Sequence, residues 1–394
     1  MNVGVNAAGP GSPVRNLLGG AAGASAIPRP APDPEVAAAL RVGDPLAEAA
    51  AAALTADPSL RAQVDLGLRA GLRALRDPHP AIAALLGELE AACAAVDDDL
   101  LERGSRPYFT IPFPAHIYDL GAGALIRSYA PPEPAALLVS TGELVERTYR
   151  RMLDTAHWIN LCMLPGGLRR GAPGYVATAE VRLLHARIRN GLARARPEAD
   201  VLPLHQVDLA RTWLDFTLVT IEAAATIGMD LTDEEQRTLY RFWRHLGRLL
   251  GVGDGADPGL LRGVSDGVGA AWLERRLAAV TGAPSEDSRR LTEVGLGAIA
   301  QALHDLGGVP LWAAGQLVHT VSRRMQGEEL ADALGVRRHR TALAVAPVAV
   351  AVMRAHRRAL RRVPPLWSVV IGVNVVAARW HARSRRDATG YQHG

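Results

Sequence analysis

The chain has 394 residues, 48% of them apolar, and a formal charge of +4, enough to build a large buried core without a strong charge bias. All 44 basic residues are Arg, which excludes a Walker phosphate loop, a pyridoxal Schiff base and a lysine nucleophile. The Arg are scattered and mostly stand beside acids, so a pI near 9.4 marks a weak basic bias and not a nucleic-acid surface. Ala, Leu, Arg and Gly dominate while strong strand formers are scarce, which favours helix. Cys93 and Cys162 follow no metal-ligand spacing and suit a reducing compartment or two buried thiols.

Residues 1–33 are rich in Gly, Ala and Pro without helical periodicity and read as a disordered leader. They lack the basic cluster and apolar block of an export signal, so a cytoplasmic protein is expected, with secretion as the alternative. From Pro34 to Leu101 the pattern predicts Ala/Leu helices broken at Asp57-Pro58 and at Asp77 to Pro80. Prolines at 112, 114, 131 and 132 bracket a helical piece from Ala115 to Tyr129. Longer helices follow over 142–162, ended by Pro165-Gly166-Gly167, then 176–195 and 207–227. Thr232 and Glu235 form a capping box for a helix reaching Leu250. Further helices are expected over 269–281, 286–306, 309–325, 327–334, 341–361 and 365–382. No segment alternates with a period of two, so the class is all-α, with one domain over 34–386 and a tail at 387–394. The apolar run Leu366 to Ala378 falls short of the roughly 20 residues a bilayer span needs. It reads as a buried helix, with peripheral membrane contact as the alternative. The Arg clusters at 357–362 and 383–386 read as solvated helix ends.

Two helices carry residues that packing alone does not call for. Val181, His185, Ile188 and Leu192 share one face, with Arg182 and Arg189 on its flanks. A histidine beside two arginines on an inward face asks for an anion. A haem would supply both an iron for the imidazole and propionates for the guanidinium groups. The plain alternative is a core histidine. On the preceding helix Leu144, Thr148, Arg151, Thr155 and Trp158 also share a face. Arg151 and Thr155 there are either a snorkelling side chain and a back-bonded hydroxyl, or the polar wall of a site that binds a diatomic molecule.

Arg151-Met-Leu-Asp-Thr155, followed at the same remove by Val181-Arg-Leu-Leu-His185-Ala-Arg-Ile-Arg189, resembles the haem core of the latex clearing protein (rubber oxygenase) family. A fungal oxygenase of mycophenolic acid biosynthesis belongs to the same family. The likeness continues through His205-Gln-Val-Asp208 with Thr212-Trp213, the run from Trp243 to Gly251, and Ser322-Arg323 before Gly327. It spans roughly residues 100–380. The resemblance implies a globin-like helical core with added helices, a haem b with His185 as the proximal iron ligand, and Arg151 and Thr155 as the distal polar pair. It places Arg189 and Arg323, beside Arg182, near the haem propionates. It also implies dioxygen as co-substrate and an isoprenoid double bond cleaved to an aldehyde and a ketone. The sequence departs from the family twice. Asp154 stands where rubber-cleaving members carry a distal Lys, and the family's catalytic glutamate, counted without gaps, falls on Ala135.

Removal of a proton next to a double bond needs a base, and Glu133 and Asp154 are the nearest candidates in sequence. Asp208 and Trp213 read as helix-packing residues, and His157 and His245 as structural. The reading is an oxygenase acting on an apolar, terpenoid-like small molecule. A haem protein that binds or senses gas without turnover, and a haem-free helical scaffold, are the alternatives.

Overall fold

A computed structural model describes residues 33–140, 144–195, 200–253 and 259–386. The leader over 1–32, its export question and the tail over 387–394 lie outside the described residues. Within them the chain is helical throughout and contains no strand. The principal helices are α1 (Pro45–Ala56), α2 (Pro80–Ala94), α3 (Pro132–Ser140), α4 (Leu144–Met163), α5 (Pro173–Ala195) and α6 (Gln206–Leu214). They continue as α7 (Asp233–Leu249), α8 (Gly267–Ala278), α9 (Glu286–Gly307), α10 (Leu311–Gln326), α11 (Arg340–Arg361) and α12 (Pro364–Arg386). Sequence signals set many of their starts. Asp44, Asp266 and Ser285 accept backbone N–H bonds as N-caps, and Thr232 closes the expected capping box with Glu235.

Two predictions need correction. Pro131-Pro132 does not only stop a helix; Pro132 opens α3, because a proline at the first helical position gives up an N–H that has no partner there anyway. The helix expected over 207–227 is interrupted by a π-helical turn, Asp215–Val219, which packs against a second π-helical segment, Ile117–Leu125. Period-based reading misses such turns because one inserted residue shifts the stripe without breaking it.

The core has two parts. The larger joins α1, α2, α4 to α8 and the inner face of α12. The smaller packs Ile126, Ala135, Met152, Leu291 and Ile299 with α10. Ile227 touches both. Burial of α12 is one-sided. Ile371, Asn374, Ala378 and Ala382 face inward, while Leu366, Val369, Val373, Val376 and Trp380 are exposed. The expected buried helix therefore has an open apolar face. Arg357 is likewise not a solvated end: it is buried, donates to the Thr110 carbonyl and lies over the Trp367 ring at 5.2 Å.

α4 and α5 form an antiparallel hairpin whose closed end is tight. Gly174 allows it, since a Cβ there would sit 2.7 Å from the Leu161 carbonyl oxygen. The Cys162 thiol stands by the Gly174 carbonyl, and Trp158 Nε1 donates to Thr178 Oγ1 at 3.1 Å. Both pairings define one register. Carried about two turns further, it sets Arg151 level with His185 and Thr155 level with Val181.

Candidate haem site and the adjoining cavity

His185 sits on α5 with its Nδ1 enclosed and without a hydrogen-bond partner, while the residue as a whole keeps some accessible surface. Loss of hydration, reinforced by the Arg189 charge, pulls its pKa down to about 4. It is a neutral imidazole at physiological pH, the form that ligates a metal. Thr155 and Arg151 are half-buried on α4, above Trp158 and Thr148, both buried. Arg151 and Thr155 share this half-burial with Leu153 and His157, so burial alone does not set the expected stripe apart, and the side chain of Leu144 lies outside the described residues.

The arginines are placed differently from the expectation. The most deeply buried stripe of α5 runs through Tyr175, Ala179, Arg182, Ala186 and Arg189; the His185 stripe lies beside it, half-buried. Arg182 donates to Asp44 at 2.6 and 3.0 Å and to Glu88 at 2.6 Å. Arg189 donates to Glu48 at 3.0 Å and to the Leu204 carbonyl at 2.6 and 3.0 Å. The anions that the two guanidinium groups call for come from the Ala-rich α1, its cap and α2, so their burial does not by itself require propionates. Arg323 is fully buried elsewhere, at the α10 corner, donating to Val336 O at 2.6 Å and paired with Glu328 and Asp332. It fastens the turn at Gly327.

Gly251 completes the Arg182 cradle. Its φ is +79°, and a Cβ there would overlap the Asp44 carboxylate and lie 2.7 Å from Arg182 Nε. Gly251→Ala is expected to lower stability by about 2 kcal/mol or more, from left-handed backbone strain plus a displaced buried ion pair. Thermal or urea unfolding of the two proteins reads this directly.

Gln206, in the family-like His-Gln-x-Asp stretch, ties two loops to the start of α6. Its Nε2 donates to the Gly43 and Gly251 carbonyls, and its Oε1 accepts from Gly253 N. Trp213 Nε1 donates to the Trp243 carbonyl, which is the packing role expected of it. His205 caps α6 by accepting from Asp208 N at 3.1 Å.

Asp208 was expected only to pack, but it lines a cavity of about 450 Å³ together with Glu133, His205 and Arg211. The rest of the wall is largely apolar, with Leu40, Leu137, Leu192, Val201 and Val280 among its residues. Leu192 lies on the His185 stripe, about two turns along α5. Loss of hydration, with nearby Glu133 adding to it, pushes the Asp208 carboxyl up to about 7. Beneath it Arg211 donates to Glu274 at 2.7 Å, and buried Asp215 is raised to about 8 by the same loss of hydration. Chain spacing could not show this, because Glu133 and Asp208 are 75 positions apart and only the fold joins them.

Of the two bases read from sequence, Glu133 reaches the cavity and Asp154 is exposed on α4. Ala135 is packed into the smaller core, outside the cavity wall. Both thiols are passive: burial pushes Cys93 up to about 11 and Cys162 up to about 12. Among the described residues no three His, Cys, Asp or Glu side chains gather as a metal site. An iron on His185 would thus need further donors from a bound group. A haem would find here a neutral imidazole on α5 with Arg151 and Thr155 half-buried on the neighbouring α4, whereas Arg182, Arg189 and Arg323 are already matched by protein acceptors.

The fold defines an all-helical protein with a half-buried His185 on α5 and a largely apolar cavity that the same helix reaches about two turns further on, at Leu192. The chain belongs to the family described as "ER-bound oxygenase mpaB/B'/Rubber oxygenase, catalytic domain", whose model matches residues 117–362, more than half of it. The fold is also that of a solved structure described as "Structure of Latex Clearing Protein LCP in the closed state". The TM-score is 0.59 and identity 17%, covering 87% of this chain and 91% of that one. No curated protein matches the sequence. Membership makes oxygenase chemistry the function class, in agreement with the sequence reading.

Proposed function

We propose that this protein is a haem b oxygenase that oxidises, and cleaves at a carbon–carbon double bond, a small apolar isoprenoid. The observation that carries the reading is an enclosed neutral His185 on α5 with Arg151 level with it, and Thr155 one turn along, on the other arm of the α4–α5 hairpin. The family match supports the oxygenase class, and the adjoining cavity supports a small-molecule substrate.

A haem bound at His185 would supply the activation of dioxygen. His185 would hold it through a neutral imidazole, which needs no proton removed before ligation. Arg151 and Thr155 offer a guanidinium and a hydroxyl on the opposite helix, positioned to stabilise negative charge as it develops. The apolar wall around Leu137, Leu192 and Val280 offers a hydrocarbon chain a surface to pack on. Asp208, ionised above about pH 7 and flanked by Glu133, takes the proton from the carbon next to the double bond. A carboxylate pair in this cavity does the work that Ala135 cannot, and favours turnover over simple gas binding.

The test is incubation of the haem-loaded protein with unsaturated isoprenoids of graded length under ¹⁸O₂. Aldehyde or ketone products carrying ¹⁸O are expected. Reversible oxygen binding with no product from any of them would replace the oxygenase reading with the gas-binding one.

A further inference from the structure

We propose that α11 and α12 form a docking surface for an anionic lipid bilayer, independent of whether haem is bound. The outer stripe of α12 comprises Leu366, Val369, Val373, Val376 and Trp380, spaced i, i+3, i+7, i+10 and i+14. Each is 51–71% exposed. On α11, Val348 and Val352 are 65% and 63% exposed one turn apart. No other part of the described surface strings together so many open large apolar side chains.

Charge identifies the occupant. Residues 340–386 contain ten Arg and no acidic residue. Three of the Arg turn toward the body: Arg354 pairs with Asp230, Arg361 with Glu235, and Arg357 donates to the Thr110 carbonyl. Arg358 and Arg362 at the bend, and Arg379 and Arg383 toward the end of α12, are exposed. They flank the apolar stripe. A second copy of this chain would set Arg against Arg across the same face, whereas anionic headgroups complement it. Trp380, at the end of the stripe, suits the headgroup boundary.

The geometry points to lying on the membrane and not crossing it. No single described helix is long and apolar enough to span; α11 and α12 together have the length and composition of a broken span, but they are bent by 113° to each other. The inner face of α12 is held to the body, with Asn374 Nδ2 donating to Phe109 O at 2.9 Å and Asn160 Nδ2 to Ala378 O at 2.8 Å. Only the outer face is left for lipid, the arrangement of an interfacial amphipathic helix. Asn160 belongs to α4, the helix of Arg151 and Thr155, so a bilayer on this face would lie one helix away from the candidate site.

The test is co-sedimentation of the full chain with phosphatidylcholine vesicles, with and without phosphatidylglycerol, at low and high salt. The parent is expected to bind the anionic vesicles, and less so in high salt. Val369→Glu with Val373→Glu, and separately Arg358→Glu with Arg362→Glu, are expected to weaken binding by about tenfold or more. Both pairs are exposed, and an unchanged helical circular dichroism spectrum would show that they fold. A parent that stays in the supernatant, or variants that bind as the parent does, would overturn the proposal. So would a parent dimer that the valine variants split, which would assign the face to a second copy.

Discussion

Asp208→Asn is expected to lower turnover by about a hundredfold or more while making the protein more stable at neutral pH. The first effect follows if Asp208 is the base, since an amide cannot accept the proton and general-base catalysis contributes at least that factor. The second follows from its raised pKa. A carboxyl held near 7 when folded and near 3.8 when unfolded favours folding at low pH, and that contribution is lost as pH rises through about 7. Above pH 7 the folded parent must hold a poorly hydrated charge, and the Asn variant does not. The gain is about 2 kcal/mol, less than full linkage because the side chain keeps some contact with water. For the parent, kcat/KM should rise with pH through about 7, and this acidic limb should vanish in the variant. Steady-state rates across pH 5 to 9, beside thermal midpoints at each pH, check both signs. A variant that loses stability and keeps the pH profile would return Asp208 to the packing role read from sequence.

His185→Gly is expected to abolish turnover and to regain part of it when imidazole is added to the medium. A side chain required for packing would not be replaced by a free imidazole, whereas a metal ligand can be. The replacement removes a neutral, partly enclosed ring whose Nδ1 has no protein partner, so the fold should survive it. Helical circular dichroism and oxygen consumption with and without imidazole measure this. Loss of activity with no recovery, in a folded variant that still holds haem, would place the iron on another residue.

The helices were legible in the sequence because they depend on local chemistry. Thr232 with Glu235 announces a start, and Pro165-Gly166-Gly167 announces an end, while the Asp44 and Ser285 caps appear only in the structure. The π-helical turns at Ile117–Leu125 and Asp215–Val219 were not, since a one-residue bulge leaves the apolar pattern almost intact. The candidate site was legible in part. His185, Arg151 and Thr155 lie on stripes visible in the sequence, and the family resemblance agreed with the fold. What those residues meet was not legible. Arg182 and Arg189 look as if they need an external anion until the fold brings in Asp44, Glu48 and Glu88 from 94 to 141 positions away. Asp208 looked inert for the same reason, because its raised pKa comes from burial beside Glu133, which no spacing rule contains. The open face of α12 was hidden too, since an apolar run does not say which of its sides is covered.

Haem on His185 is the claim on which the rest depends, and the ultraviolet–visible spectrum of the purified chain beside His185→Ala, both supplied with haemin, tests it most directly. The account predicts a Soret band in the parent that is strongly reduced or shifted in the variant. A parent that takes up no haemin, or a variant with the parent's spectrum unchanged, would contradict it.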